Sequence, residues 1–280
     1  MQILESIKYL ILGIVQGLTE VLPISSSGHV EIFKYLLKVD IYESITFLII
    51  VNTGSLVTFV FIYSKKIGQL IKGFCIYIFN KDNRDKYKAE FIYTLKIIIA
   101  TIPAGVVGLL FEEKIDAFML DYALLVVGIG LLLTATVLYY VTSLEPFKKG
   151  KTQISWYDSI FIGLAQSVAL IPGVSRSGMT SSTALKRGNS ISSALDFAFI
   201  MYIPISFASI ILMVYKILAK ETTSFELSNI HNYFFAFLGA MIATYFAYKL
   251  IFNIFRSGKL RYFSYYCFGA SLFALILFVL

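Results

Sequence analysis

Glu20, Ser26, His29 and Arg176 are the side chains of this 280-residue sequence best suited to chemistry on a phosphate. Glu20 follows Gln16 by four residues, so the two project from one helix face. A carboxylate there can bind a divalent cation, act as a base, or pair with Arg176. The run Ser25-Ser26-Ser27-Gly28-His29 joins hydroxyls, a glycine that lets backbone approach a ligand, and an imidazole. Hydroxyls and backbone N–H groups at a helix start form an anion site, and a histidine beside them can serve as nucleophile or acid–base group. His231, the other histidine, lies beside Asn229 and Asn232 and reads as solvated. The second cluster is Pro172-Gly173-Val174-Ser175-Arg176-Ser177-Gly178-Met179-Thr180. Arginine has the fork that matches phosphate oxygens, and Ser175, Ser177 and Thr180 can complete an anion cradle around it. The plainer alternative is a buried Glu20–Arg176 pair that only ties two parts of the chain together.

The two clusters are versions of one pattern. GIVQGLTEVLPISSSGH, Gly13 to His29, returns 150 positions later as GLAQSVALIPGVSRSGM, Gly163 to Met179. Gly13, Gln16, Ser25, Ser27 and Gly28 fall on Gly163, Gln166, Ser175, Ser177 and Gly178 without a gap. Each copy starts as an apolar helix and breaks at a proline. The segments 3–38 and 155–188 each hold two short helical stretches around that break, neither long enough to cross a bilayer comfortably. Each is therefore expected to enter and leave by the same face, its loop buried in protein or lining a cavity. Ser25 and Ser175 are the expected caps of the returning helices.

The elements that position these clusters follow from composition. Hydrophobic residues make up 58% of the chain and charged ones 15%, with a mean hydropathy of +0.79. Soluble domains carry about 45–50% and 25%, so the sequence reads as an integral membrane protein. Long apolar runs that do not alternate exclude a transmembrane barrel and predict an all-α polytopic fold. Spans are expected at 45–63, 91–111, 122–142, 193–217, 232–252 and 262–280. No polar stretch is long enough for a soluble domain, so residues 1–280 form a single membrane domain. Repeat 1 covers about 1–145 and repeat 2 about 152–280. A re-entrant hairpin followed by three crossings in each half turns the second half upside down. That is an inverted-topology repeat, whose two broken loops meet near mid-bilayer.

Of the 24 basic residues, fifteen fall on one side of this arrangement, in 65–88, 148–151, 186–187 and 256–261. Six fall on the other, at Lys8, Lys34, Lys38, Lys114, Lys216 and Lys220. The richer side is expected to be cytoplasmic, leaving both termini and the first hairpin outward. The basic cluster at 65–88 fits a cytoplasmic flank, or attraction to anionic lipid headgroups, better than a nucleic-acid surface. Cys75 and Cys267 have no metal spacing, and a disulfide framework is not expected. KYLILGIVQGL is not read as a signal peptide, because Glu5 precedes it, no A-x-A site follows, and the pattern returns internally.

At these residues the sequence resembles the bacterial undecaprenyl-diphosphate phosphatases, the bacitracin-resistance membrane phosphatases. That family's first motif is Glu or Gln, three residues, then Glu, followed by L-P-x-S-S-[ST]-G-H. Gln16, Glu20, Leu22, Pro23, Ser25, Ser26, Ser27, Gly28 and His29 fit it. Its second motif, P-G-x-S-R-S-x-x-T, is matched by Pro172, Gly173, Ser175, Arg176, Ser177 and Thr180. The likeness runs along the whole chain, including Gly54-Ser55 and the stretch from Asp196 to Pro204. Many members carry Glu at the positions of Gln16 and Asp196. Gln16 would offer a metal only a neutral oxygen.

The resemblance implies hydrolysis of undecaprenyl diphosphate to the monophosphate, recycling the lipid carrier of cell-wall synthesis. It also implies a divalent cation, Mg²⁺ or Ca²⁺, and a homodimer. In that reading Glu20, Ser26, His29 and Arg176 are catalytic, and Glu20 is the metal ligand. Ser25, Ser27, Gly28, Gly173, Ser175, Ser177 and Thr180 bind substrate. Ser26 or His29 attacks the terminal phosphorus, or His29 activates a water. The rival class is a transporter or flippase, since inverted repeats with broken helices are typical of secondary transporters.

Overall fold

The computed structural model describes residues 2–39, 44–143, 150–219, 229–256 and 259–280. Lys148, Lys149 and Lys220, which enter the charge tally, lie outside the described residues. Every regular element described is helical, apart from a single bridge between Lys151 and Asn189.

The first copy of the repeated pattern folds as α1 (Gln2–Glu20) and α2 (Ser26–Leu37), the second as α6 (Trp156–Val168) and α7 (Arg176–Lys186). The breaks fall where the prolines stand. Ser25 accepts a hydrogen bond from the Gly28 N–H at 3.2 Å, and Ser175 accepts one from the Gly178 N–H at 3.1 Å. Both therefore act as N-caps, satisfying an otherwise orphan donor. At its outer end α6 is fixed by a reciprocal capping box between Ser155 and Asp158, and Asp158 also takes a hydrogen bond from Arg187.

The remaining helices are α3 (Ser44–Ile62), α4 (Ser64–Phe79), α5 (Lys88–Ser143), α8 (Ile191–Leu218), α9 (Ile230–Arg256) and α10 (Leu260–Val279). Tyr122, at φ −131° and ψ 28°, breaks α5 into two limbs. Five helical stretches are long and apolar enough to cross a membrane: Asp85–Phe111, Ala117–Ser143, α8, Ile230–Lys249 and α10. The bent pair of α3 and α4 makes a sixth if counted as one span. The protein is thus a multi-pass, all-helical membrane protein.

One element escaped the sequence pattern. Residues 65–88 read as a basic loop, yet 64–79 fold into α4, bent 75° from α3. Lys65 and Lys72 are exposed, Lys66 reaches Asp196 of α8 at 3.7 Å, and Leu70 and Gly73 are buried. Phe74 and Tyr77 stack on Phe91 at centroid distances of 5.4 and 4.0 Å. Charge density masked a helical apolar stripe.

The hairpins are inserted tightly into their surroundings. A Cβ on Gly13 would lie 2.0 Å from the Ala236 carbonyl oxygen of α9. Its counterpart Gly163 would lie 2.4 Å from the Ala100 carbonyl oxygen of α5. Only glycine permits backbones to approach so closely. Tyr9, Leu12, Phe47, Val51 and Ala240 pack α1 against α3 and α9, while Leu131, Leu138, Cys267 and Ala274 join α5 to α10. Phe59, Phe197, Met201 and Tyr202 close the centre between α3 and α8.

Candidate active site

The two breaks face one another. A Cβ on Gly28 would lie 3.1 Å from the Gly173 Cα, and one on Gly178 would lie 3.3 Å from the Pro23 carbonyl oxygen. Gly173 itself has φ +90°, a conformation glycine adopts without cost. Ser177 Oγ donates to the Leu22 carbonyl at 3.0 Å, stitching one loop to the other. On α5, Thr134 Oγ1 accepts from the Ser175 N–H at 2.9 Å and donates toward the Gly173 carbonyl at 3.2 Å. Ser25 holds φ +68°, a sparsely populated region for a residue with a side chain. Such strain costs of order 1–3 kcal/mol and concentrates at functional sites.

Glu20 is the hub. Arg176 Nη2 donates to its Oε1 at 3.0 Å, Gln16 Nε2 donates to its Oε2 at 2.7 Å, and Ser26 Oγ also donates to Oε2. The Glu20 side chain is only 6% exposed, whereas that of Arg176 is 25% exposed and can reach a ligand. Burying such a pair in low dielectric is favourable only when further hydrogen bonds satisfy it. Here they come from α3 and α8. Asn52 Oδ1 accepts from Arg176 Nη2 at 3.0 Å and from the Tyr202 hydroxyl at 2.6 Å. The Tyr202 ring lies 4.8 Å from the guanidinium carbon, a cation–π contact. Asn52 and Tyr202 went unnoticed in the sequence. Asn52 left a faint signal, an amide inside an apolar span.

Gln16, Glu20, Ser25, Ser26, Ser27, Asn52, Ser175, Arg176 and Ser177 line a cavity of about 610 Å³ whose remaining walls are largely apolar. The first turns of α2 and α7 both border it, so two helix N-termini present partial positive charge beside Arg176. The site can therefore hold an anion and offer it a hydroxyl.

The other candidates are placed differently. Thr180 lines a separate cavity of about 10 Å³ with Glu20, Gln166, Arg176 and Tyr202, and its hydroxyl donates to the Arg176 carbonyl at 2.8 Å. Gly28 and Gly173 pack loop against loop and border neither cavity. His29 also stands behind the cavity wall. Its Nδ1 lies 2.7 Å from the Ser25 carbonyl oxygen and its Nε2 lies 2.7 Å from the Tyr266 hydroxyl of α10. The two rings stack at 5.5 Å. The imidazole is thus oriented by both nitrogens, as a residue that braces the loop would be.

Oxygen donors dominate a possible cation position. The described residues contain no cluster of three or more His, Cys, Asp or Glu. Glu20 is joined by Gln16 Oε1, which is buried and has no hydrogen-bond partner, whereas the nearby Asn52 Oδ1 already accepts from Arg176 and Tyr202. One carboxylate with a neutral oxygen suits a hard ion that completes its shell with phosphate oxygens and water. The residues present therefore fit a hard divalent cation such as Mg²⁺ or Ca²⁺.

The sequence matches the family described as bacitracin resistance protein BacA over residues 9–273. It is 40% identical to the undecaprenyl-diphosphatase of Oceanobacillus iheyensis over 270 residues, 96% of either chain. It is 40% identical to undecaprenyl-diphosphatase 2 of Bacillus thuringiensis over 270 residues, 96% of this chain and 97% of that one. Undecaprenyl-diphosphatase 1 of Bacillus licheniformis is 39% identical over 276 residues, 99% of each. With a match that spans both helix breaks and every residue of the Glu20 hub, the chain belongs to the BacA family of bacitracin-resistance proteins.

Proposed function

We propose that the chain hydrolyses undecaprenyl diphosphate to undecaprenyl phosphate and inorganic phosphate within the bacterial plasma membrane. This activity recycles the cell-wall lipid carrier and confers bacitracin resistance. The observation that carries the reading is the Glu20 carboxylate, which holds the anion-binding Arg176 on one oxygen and the Ser26 hydroxyl on the other.

Arg176 and the N-termini of α2 and α7 clamp the diphosphate. Phosphate oxygens compete with Glu20 for the guanidinium, and the Glu20 carboxylate then becomes available as a base. Ser26 Oγ attacks the terminal phosphorus and passes its proton to Glu20 Oε2. The bond from that phosphorus to the bridging oxygen breaks, and the lipid monophosphate leaves. Water then hydrolyses the phosphoserine, releasing inorganic phosphate. Ser26 is favoured over His29 because it borders the cavity, whereas both His29 nitrogens are engaged behind it. Positioning and charge neutralisation do most of the work in such transfers. A divalent ion, when bound, would offset charge on the diphosphate, with Glu20 and Gln16 as its protein oxygens.

In this reading the chain is an inverted-topology repeat of six crossings and two re-entrant hairpins, with both termini facing outward. The matched insertions of Gly13 against α9 and Gly163 against α5 support it. So do the matched caps at Ser25 and Ser175.

Purified protein given polyprenyl diphosphate should release phosphate, and EDTA should stop the release. A trapped phosphoenzyme should map to Ser26 and vanish in Ser26→Ala. Phosphate release that persists undiminished in Ser26→Ala would leave water as the attacking group.

A further inference from the structure

α4 borders neither cavity, and two different rows of side chains are left exposed along it. At 3.6 residues per turn, Leu70, Gly73, Phe74 and Tyr77 share the side that packs on α5. A Cβ on Gly73 would lie 2.5 Å from Glu90 Cβ, and Phe74 and Tyr77 stack on Phe91. Gly68, Ile71, Cys75 and Ile78 recur at helical spacing on the outer side. Ile71 is 60% exposed, Ile78 40% and the terminal Phe79 83%, and a Cβ on Gly68 would meet nothing within 4 Å. Lys65, Gln69 and Lys72 form a second exposed row beside the first. An apolar row next to a basic one suits a helix lying at the boundary between headgroups and acyl chains.

The charge continues past the helix, where Lys81, Arg84, Lys86 and Lys88 are exposed. Arg84 folds this loop back over the helix end, donating from Nε to the Tyr77 carbonyl at 2.8 Å with its guanidinium carbon 5.3 Å from the Tyr77 ring centre. Of the seven basic residues between 64 and 88, Lys66 alone is ion-paired among the described residues, to Asp196. Asp82 and Asp85 are the acidic residues of the same segment. α4 is about 24 Å long at 1.5 Å per residue and, turned 75° from α3, advances only about 6 Å along the α3 axis. It therefore runs across the direction of α3, and its lysines keep it out of the hydrocarbon.

We propose that α4 lies in the plane of the membrane surface with its apolar row among acyl chains, and that Lys65, Lys72 and the lysines of the following loop bind the headgroup phosphates of anionic phospholipid. A soluble acidic partner would meet the lysines but leave Ile71, Ile78 and Phe79 facing water, whereas a lipid surface satisfies both rows at once. The proposal rests on the six-crossing reading, in which α3 crosses and α4 turns aside, and is independent of the phosphatase chemistry.

Cys75 lies in the apolar row and is exposed, whereas Cys267 is buried, so a fluorophore can be placed on α4 of the full chain through its own thiol. The labelled protein is reconstituted in phosphatidylcholine vesicles doped equally with nitroxide-bearing phosphatidylglycerol or nitroxide-bearing phosphatidylcholine, and the quenching is compared. A nitroxide just below the headgroup should quench about threefold more strongly when carried by phosphatidylglycerol. The excess should fade as salt is raised from about 0.05 to about 0.5 M. It should vanish in Lys65→Gln/Lys72→Gln/Lys81→Gln and survive in Lys151→Gln/Lys186→Gln/Lys259→Gln, which removes as much charge from the other basic segments. Equal quenching by the two lipids, or an excess that survives the first triple substitution, overturns the proposal. Absence of quenching by either lipid also overturns it and leaves the basic row to a soluble acidic partner. Strongest quenching by a nitroxide at mid-bilayer would place α4 in the core and sink the six-crossing reading itself.

Discussion

Replacing Asn52 with alanine separates a residue that positions Arg176 from one that merely fills space. Asn52 Oδ1 is the second acceptor of Arg176 Nη2, at the same 3.0 Å as Glu20 Oε1. Together they fix the guanidinium over the Tyr202 ring. Among the described residues Nη2 alone makes these bonds, so Nε and Nη1 remain for phosphate oxygens. When Arg176 turns from Glu20 to the substrate, Asn52 is the anchor that stays. A hydrogen bond from a charged donor contributes about 1.5–3 kcal/mol. At 1.36 kcal/mol per tenfold in rate, Asn52→Ala should lower kcat/KM by roughly ten- to a hundredfold. The Tyr202 hydroxyl loses little, because the Asn52 backbone carbonyl, 3.0 Å away, remains as its acceptor.

Phosphate release in detergent and a melting curve on the same sample provide the assay. The melting temperature should fall by no more than about 12 °C, since a loss of about 1.5–3 kcal/mol corresponds to about 3–12 °C in a chain this long. Tyr202→Phe is the comparison: it keeps the ring under the guanidinium and removes a neutral hydrogen bond, about 0.5–1.5 kcal/mol. It should cost less activity than Asn52→Ala. An Asn52→Ala enzyme within twofold of the parent in kcat/KM, or one impaired less than Tyr202→Phe, would refute the anchoring argument.

Two further outcomes follow from the same geometry. Gln16→Glu places a second carboxylate beside Glu20 and turns an orphan neutral oxygen into a charged one, so Ca²⁺ affinity measured by calorimetry on substrate-free protein should rise by about tenfold. Gly163→Ala forces a Cβ against the Ala100 carbonyl and should cost about 1–3 kcal/mol of stability, read as a lowered melting temperature, whereas Gly105→Ala should leave it unchanged.

What could be read from the sequence was local. The caps at Ser25 and Ser175 were legible because serine followed by glycine at a proline break has one good use for its hydroxyl. Five of the six expected spans, from 91–111 to 262–280, were legible because length and hydropathy are one-dimensional properties, whereas 45–63 forms a spanning stretch only when counted together with the bent α4. α4 was not, since its lysines break the apolar run that a membrane reading looks for. The partners of the site were not either. Asn52 and Tyr202 lie 124 and 26 residues from Arg176 and meet it only through the packing of α3 and α8. His29 illustrates the reverse limit. Its neighbours in sequence suggest chemistry, but the partner that orients its ring, Tyr266, lies 237 residues away and left no local signal.

The repeat also explains why one carboxylate can organise the whole site. At an offset of 150 residues, Ser26 corresponds to Arg176 and Glu20 to Leu170. The two equivalent side chains, one from each copy, bind the two oxygens of the same Glu20 carboxylate. Two symmetric copies would have presented either two serines or two arginines to a pair of glutamates. Two buried arginines with two glutamates would bind each other tightly and leave no hydroxyl for attack. Two serines would leave two carboxylates to repel an anionic substrate. Divergence at just these positions yields one acid, one hydroxyl and one cation where the loops meet. Gln16 and Gln166 stayed alike, each with an unpartnered buried amide atom, one beside the large cavity and one beside the small. In the proposed reaction Gln16 keeps that free oxygen at the large cavity as a cation ligand, while the acid, the hydroxyl and the guanidinium lie in the positions where the copies differ.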